Sequence, residues 1–456
     1  MAAAPVVPPV AAARLPPGTL AQNFADLHPP LSANEARVAS ERCLFCYDAP
    51  CVAACPTGID VPLFIRQIST GNALPAAKTI LEANILGGMC ARVCPTETLC
   101  EQACVRMASE GKPVQIGLLQ RHATDALLAT GSQIFARAPV TERKVAVVGA
   151  GPAGLACAHA LARLGHAVTI FDAREKPGGL NEYGIAAYKT VDDFAAREVE
   201  YILGIGGIEL RLGHGLGRGL TLAALRASHD AVFLGLGLAA TNTLGLSHSG
   251  LSGIEDAVDY IARLRQTPDK SKLPIGRRVI VIGGGMTAID MATQARRLGA
   301  EDVTIAYRRD ASAMKASRFE QELAQKAGVL IRHWLRPVAL HGEAGVLQSV
   351  DLAYMHDDRG RLTDTGESLT LPCDQLYLAI GQAYVPFEAE AGLALEQGRI
   401  RVDGLRRTSL PGVWAGGDCI HGGKDLTVSA VEDGKQAAAS IHSALGASLQ
   451  GARQHG

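Results

Sequence analysis

The chain has 456 residues, too many for one hydrophobic core, and is expected to form two to four domains. Its 44 basic and 45 acidic side chains leave a net charge of -1, without the basic surplus of a nucleic-acid binder. No apolar run reaches the roughly 18 to 20 residues of a membrane span, so neither nucleic acid nor membrane is an expected partner. The opening MAAAPVVPPVAAARLPP has no basic region before its apolar part and is broken by prolines. It reads as a disordered tail over residues 1–19 rather than a signal peptide.

A segment of short helices and cysteine-bearing loops follows, over residues 20–138. Eight of the 11 cysteines lie between Cys43 and Cys104, the pattern of metal or cluster ligation in a reducing cytoplasm rather than of secreted disulfides. The first group is Cys43-x2-Cys46-x4-Cys51-x3-Cys55-Pro56. The second is Cys90-x3-Cys94-Pro95, then Cys100-x3-Cys104. Three thiolates within nine residues can cap one face of a cubane whose remaining ligand is remote in sequence. A helix would show Cys100 and Cys104 on one face. Zinc favours paired C-x2-C knuckles, and only one C-x2-C occurs. Two 4Fe-4S clusters are therefore expected. Spacing alone makes Cys90 the eighth ligand and leaves Gln120 as a surface helix residue.

The runs Cys43-Leu-Phe-Cys46-Tyr-Asp-Ala-Pro-Cys51 and Cys90-Ala-Arg-Val-Cys94-Pro-Thr-Glu-Thr-Leu-Cys100 resemble the N-terminal region of dihydropyrimidine dehydrogenase. They also resemble the small subunit of bacterial glutamate synthase. The resemblance implies one cluster on Cys43, Cys46, Cys51 and Cys104, and the other on Cys55, Cys94, Cys100 and Gln120. Gln120 falls in Ile116-Gly-Leu-Leu-Gln120-Arg-His-Ala-Thr-Asp125, where glutamate synthase small subunits carry a glutamate. Cys90 is then left over.

At Lys144-Val-Ala-Val-Val-Gly149 the composition changes to an apolar strand ending in glycines. The loop Gly149-Ala-Gly151-Pro152-Ala153-Gly154 opens a helix. Its glycines allow a tight turn, a close approach to pyrophosphate and close helix–strand contact. Asp172, 23 residues after Gly149, is placed for ribose hydroxyls. Gly178-Gly179-Leu180 and the late Gly416-Gly417-Asp418 resemble the FAD-binding pattern of pyridine-nucleotide disulfide-oxidoreductase-like flavoproteins. That resemblance implies Asp418 at the ribityl or pyrophosphate region and a following helix, from about Thr427, directed at the flavin. Those proteins often read Gly-Ile-Pro-x-Tyr/Phe-Arg-Leu after the double glycine. Here the stretch is Gly184-Ile-Ala-Ala-Tyr-Lys-Thr190, with Lys189 as the replacement cation. Cys157, Cys373 and Cys419 are single and read as packing residues.

A second unit of the same kind begins 134 residues later at Arg278-Val-Ile-Val-Ile-Gly283, an internal duplication. Its loop is Gly283-Gly-Gly285-Met286-Thr287-Ala288. Its next strand ends in Tyr307-Arg308-Arg309, with Lys315 shortly after and no acid for a ribose hydroxyl. Cations there suit a 2'-phosphate, so NADPH is favoured over NADH.

The expected fold is α/β. An N-terminal α-helical double 4Fe-4S domain precedes two Rossmann-like domains, FAD over 139–260 and 377–456, with NAD(P) inserted over 261–376. The resemblance, over roughly residues 20 to 445, implies a small subunit of bacterial dihydropyrimidine dehydrogenase, located in the cytoplasm. It would pass electrons from NAD(P)H through FAD to two clusters, then to a larger FMN/iron–sulfur subunit in a hetero-oligomer. That partner would reduce uracil and thymine to 5,6-dihydropyrimidines. The alternative is a glutamate synthase small subunit or related flavoprotein feeding another acceptor, and Gln120 separates the two. A scaffold with idle cofactors is the non-enzymatic alternative.

Overall fold

The computed structural model describes residues 8–217, 219–246, 250–387 and 392–454. The chain divides into two compact units. The larger comprises His28–Glu182, Asp192–Ala239 and Tyr384–Gly456. The other comprises Met1–Leu27, Tyr183–Val191 and Ala240–Ala383.

In the larger unit the cysteine segment folds as short helices with explicit start signals. Ser32 and Glu35 form a reciprocal capping box at Ala33–Ser40. Asp60 accepts from Leu63 N at 3.0 Å, capping Val61–Ser69. That helix buries Val61, Phe64, Ile65 and Ile68, spaced along one helical face. Each contributes roughly 1.5–3 kcal/mol of burial. Residues 99–103 form turns rather than a helix, so Cys100 and Cys104 do not share a helical face.

Beyond it, five parallel strands run in the order Val413–Ala415, Ala231–Leu234, Lys144–Val148, Ala167–Asp172, Ile208–Leu212. The central strand is buried at every position after Lys144, as its unbroken Val/Ala run implies. The helices Pro152–Arg163 and Thr427–Gln454 pack closely on each other. One hydrophobic core joins Phe64, Ile80 and Leu119 of the helical segment to Val147, Leu155, Phe233 and Ile441 of the nucleotide fold. From His28 on, the expected separate domain over 20–138 is therefore one unit with the first nucleotide fold, and residues 20–27 join the other unit.

The second unit repeats the plan. Leu330–His333, Asp302–Tyr307, Arg278–Gly283, Gln375–Ala379 and Ile254–Asp256 form a parallel sheet in that order. An antiparallel meander of Leu335–Glu343, Val346–Asp358 and Arg361–Pro372 follows Leu330–His333 in the chain. The duplication offset holds, with helix Met286–Leu298 corresponding to Pro152–Arg163.

Three boundary expectations are corrected. The insertion runs from Ala240 to Ala383 rather than 261–376, because Ile254–Asp256 and Gln375–Ala379 pair into the second sheet. Residues 183–191 also join the second unit. The N-terminal tail is ordered within its described part. Val10 and Ala11 pair with Gly276 and Ile275, Arg14 Nε donates to Ile275 O at 2.6 Å, and Leu20 enters the second unit's core. Residues 1–7 of that expected tail lie outside the described residues.

Gly434 is mid-helix, where alanine normally gains about 1 kcal/mol. A Cβ there would stand 2.2 Å from Ala153 O on the opposing helix. Gly434→Ala is therefore expected to reverse the sign and destabilise by about 1–3 kcal/mol, read as a lower calorimetric Tm.

Candidate cofactor and cluster sites

The first glycine loop is built by backbone crowding. Gly149 has φ +105°, and a Cβ would lie 2.1 Å from Gly235 O. A Cβ on Gly154 would lie 1.9 Å from Gly149 O, so the third glycine permits the close helix–strand approach. A Cβ on Gly179 would lie 2.7 Å from the Cα of Gly151, so backbone alone lines this part of the loop. Gly151 caps Pro152–Arg163 with no side-chain bond. The first-turn donors around Ala153 therefore have no side-chain acceptor, and the dipole favours an anion there. Asp172 Oδ2 accepts from Ala150 N at 2.6 Å and Oδ1 from Arg174 N at 2.8 Å. Each oxygen keeps a lone pair for a hydroxyl.

Two further loops close on this one. Gly178 N donates to Ala150 O at 2.8 Å, and Leu180 starts the short helix Leu180–Tyr183. Thr427 Oγ1 donates to Asn181 Oδ1 at 2.7 Å, tying the terminal helix start to that turn. Gly417 N donates to Asp433 Oδ2 at 2.9 Å. Asp418 is pushed up to about 6, first by burial and then by Asp425. A half-buried carboxyl at this loop suits a hydroxyl partner. These features fit a dinucleotide with a polyol chain.

In the second unit Gly283 has φ +152°, and a Cβ would meet Ala379 O at 2.3 Å. Gly285 faces open space and caps Met286–Leu298 without a side-chain bond. Met286 and Thr287 are half-buried in the first turn, and Ala288 is fully buried in the place of a third glycine. Arg308, Arg309 and Lys315 are exposed, and their side chains have no hydrogen-bond or ionic partner among the described residues. The nearby acid, Asp310, is occupied, accepting from Ser312 Oγ at 2.7 Å and Ala313 N at 2.9 Å.

Lys189 departs from its expected role. It belongs to the second unit, where Nζ lies 2.8 Å from Asp290 Oδ1 and 2.8 Å from Glu320 Oε1. Burial opposes its charge, and these carboxylates more than restore it. The cation is matched within that unit rather than held as a spare charge for a flavin.

The cysteines converge as two sets. Cys43, Cys46, Cys51 and Cys104 line one cavity with Ala49, Pro50, Val61 and Ile65. Burial pushes the Cys51 thiol up to about 11, and Cys43 and Cys104 add to it. Four such thiols ionise together only around a cationic centre. In the second set, Cys94 is hydrogen-bonded to Cys90 and has Cys100 and Cys55 as charged neighbours, all raising it. Burial, then Glu101 and Cys55, raise Cys100. All eleven cysteines are free thiols, and Cys157, Cys373 and Cys419 are fully buried, as packing residues should be.

Gln120 is buried, not a surface residue. It lies on helix Ile116–Thr130, packed against the Gly87–Val93 helix that carries Cys90 and leads into Cys94. Its Nε2 donates to Gly87 O at 2.7 Å, which fixes the amide and leaves Oε1 without a hydrogen-bond partner among the described residues. An amide anchored through nitrogen with its oxygen available fits a metal ligand. The structure brings Cys90 to the second set through Cys94, and packs the Gln120 helix against the helix that carries Cys90.

Sequence reasoning missed three supporting acids. Asp433 holds the Gly417 loop, and Glu101 Oε1 accepts from Gly117 N at 3.0 Å. Glu198, fully enclosed, accepts from Gly88 N at 2.7 Å and Met89 N at 3.1 Å, and burial pushes it up to about 8. The signal for Glu198 was present. It falls on the apolar stripe Phe194, Ala195, Val199 and Ile202 of an otherwise regular amphipathic helix.

Comparison with known proteins identifies the family of each segment. Residues 143–434 match the pyridine nucleotide-disulphide oxidoreductase family, and residues 20–132 match dihydropyrimidine dehydrogenase domain II, 4Fe-4S cluster. The chain is 37% identical to the NAD-dependent dihydropyrimidine dehydrogenase subunit PreT of Escherichia coli, covering 92% of this chain and 97% of that one. It is 34% identical to the NADPH glutamate synthase small chain of Escherichia coli, covering 92% and 93%. In fold it is similar to Mycobacterium tuberculosis FprA in complex with NADPH, at TM-score 0.57 and 18% identity, covering 69% and 86%. No helix among the described residues is long and apolar enough to cross a membrane.

The Asp418 value lies above the ordinary 3.8, so the fold favours the protonated acid. That contribution is complete below about pH 4 and is lost as pH rises through about 6. The flavin-free protein is expected to lose on the order of 3 kcal/mol across that window. Asp418→Asn is expected to flatten the loss, as urea denaturation at pH 4 and pH 7 would read.

Proposed function

Because the chain belongs to the FAD- and iron–sulfur-dependent pyridine nucleotide oxidoreductases that include PreT and glutamate synthase small chains, we propose that it is the electron-input subunit of a two-subunit dihydropyrimidine dehydrogenase. It is an NAD(P)H-dependent oxidoreductase. When bound, the nicotinamide supplies a hydride, the flavin accepts it, and the clusters carry single electrons onward.

In this reading Gly149, Gly151, Pro152, Ala153, Gly154 and Asp172 hold the FAD adenosine and pyrophosphate. Gly179, Leu180, Gly417, Asp418 and the Thr427 helix start hold the rest of it. Gly283, Gly285, Met286, Thr287 and Ala288 hold the nicotinamide nucleotide. Cys43, Cys46, Cys51 and Cys104 hold one cluster, and Cys55, Cys94, Cys100 and Gln120 the other. The single observation that carries the pyrimidine reading is Gln120, a buried amide anchored by Gly87 O at a position where glutamate synthase small subunits carry a glutamate. The final acceptor is then uracil or thymine on a larger FMN/iron–sulfur subunit. The reduced thiols suit the cytoplasm.

Two measurements test this. NADPH oxidation that depends on uracil after mixing with an FMN-barrel partner is the expected result. Recovery of a glutamine amidotransferase subunit in a pull-down, with no uracil-dependent oxidation, would overturn it.

Exposed Arg308 and Arg309, with Lys315 nearby, support NADPH as the preferred donor, whereas the Escherichia coli relative is named NAD-dependent. Replacing both arginines by alanine is expected to raise KM for NADPH roughly 10- to 100-fold and to leave KM for NADH nearly unchanged, by stopped-flow bleaching of the flavin.

A further inference from the structure

Glu198 and Gln120 touch opposite ends of one peptide group. Glu198 Oε1 accepts from Gly88 N–H at 2.7 Å. Gln120 Nε2 donates to Gly87 C=O at 2.7 Å. That carbonyl and that N–H belong to the same planar, trans peptide unit, so they point in opposite directions. A hydrogen-bonded chain therefore runs from the Glu198 carboxyl through the Gly87–Gly88 peptide to the Gln120 amide.

The chain is tightly constrained. Glu198 and Gln120 are 2% and 7% exposed. A Cβ on Gly87 would stand 2.5 Å from Ile80 Cγ2, and one on Gly88 2.5 Å from Phe194 Cζ. Only a Gly-Gly peptide fits. Arg92 Nη1 donates to Gly88 O at 3.0 Å, its Nη2 pairs with Asp125 at 2.7 Å, and its guanidinium stacks on Phe194. The peptide thus has little freedom to rotate.

We propose that Glu198 is a positioning residue for the second cluster, acting on Gln120 through the Gly87–Gly88 peptide. This rests on the reading above that Gln120 is a ligand. An acceptor on the N–H end makes the carbonyl end a better acceptor. A stronger bond to Gln120 Nε2 holds the amide in one orientation and shifts electron density onto Oε1. A more electron-rich ligand favours the oxidised cluster, as partners of ligands do at metal sites generally. A glutamate that only capped the Gly87–Val93 helix start would affect stability and nothing else.

The test uses the purified full chain with its cofactors, comparing wild type, Glu198→Ala, Glu198→Gln and Gln120→Ala. Iron and FAD content, electron paramagnetic resonance of the reduced clusters and a redox titration are recorded. Glu198→Ala is expected to shift the second cluster's potential upward and alter its g-values, with the first cluster and FAD content unchanged. Glu198→Gln, whose amide oxygen accepts the same N–H groups, is expected to shift in the same direction by less. Should Glu198→Ala fail to fold, Glu198→Gln decides. Variants at Glu198 that melt earlier but keep the wild-type spectrum and potential, while Gln120→Ala changes both, would overturn the proposal. A Gln120→Ala protein with an unchanged second cluster would instead overturn the ligand assignment beneath it.

Discussion

The shared hydrophobic core of the larger unit is the constraint on which the rest depends. Phe64, Ile80 and Leu119 of the cysteine-bearing segment pack in the same cluster as Val147, Leu155 and Ile441 of the first nucleotide fold. Close packing of this kind resists small displacements. The Gly149, Gly178 and Gly417 loops, the two thiol sets and the Gln120 amide are therefore held on one body. The terminal helix reinforces it, since Lys435 Nζ donates to Ala83 O at 2.6 Å and Gly434 admits the Ala153 carbonyl.

In each unit, buried charge marks where chemistry is prepared. Lys189 is satisfied by two carboxylates, so it is structural. Asp418 and Glu198 are not matched in this way, and burial raises both. One stands at the late glycine loop and the other behind the second thiol set. A desolvated acid without an ion-pair partner is costly to the apoprotein unless a neighbouring group uses its hydrogen-bonding capacity. The crowded thiols follow the same logic, because burial, then Cys43 and Cys104, raise Cys51 until a positive centre accepts the charge.

Much of this was legible in the residues. The duplicated strand–glycine–helix pattern located both nucleotide folds, with the second displaced by 134 residues. The clustered cysteines marked the cluster-bearing segment, and the family resemblance implied their division into two sets. Other features were not legible. The Ala/Pro start looked too simple to order, yet Val10 and Ala11 complete a two-stranded pairing with Ile275 and Gly276. Lys189 matched a pattern position, but its partners Asp290 and Glu320 lie more than a hundred residues away. Gln120 read as surface because helical periodicity alone does not reveal which face meets the Gly87–Val93 helix.

The sequence by itself determined the local devices: where backbone needs glycine, where thiolates gather, and which strands are buried on both faces. These follow from short-range sterics and periodicity, which need no knowledge of distant residues. Only the tertiary structure decided the unit boundaries, the pairing of Lys189, the burial of Gln120 and the placement of Glu198 against the Gly87–Gly88 peptide. Each of those depends on contacts between segments far apart in the chain. Such contacts are set by the packing of the whole core, and no local pattern encodes them.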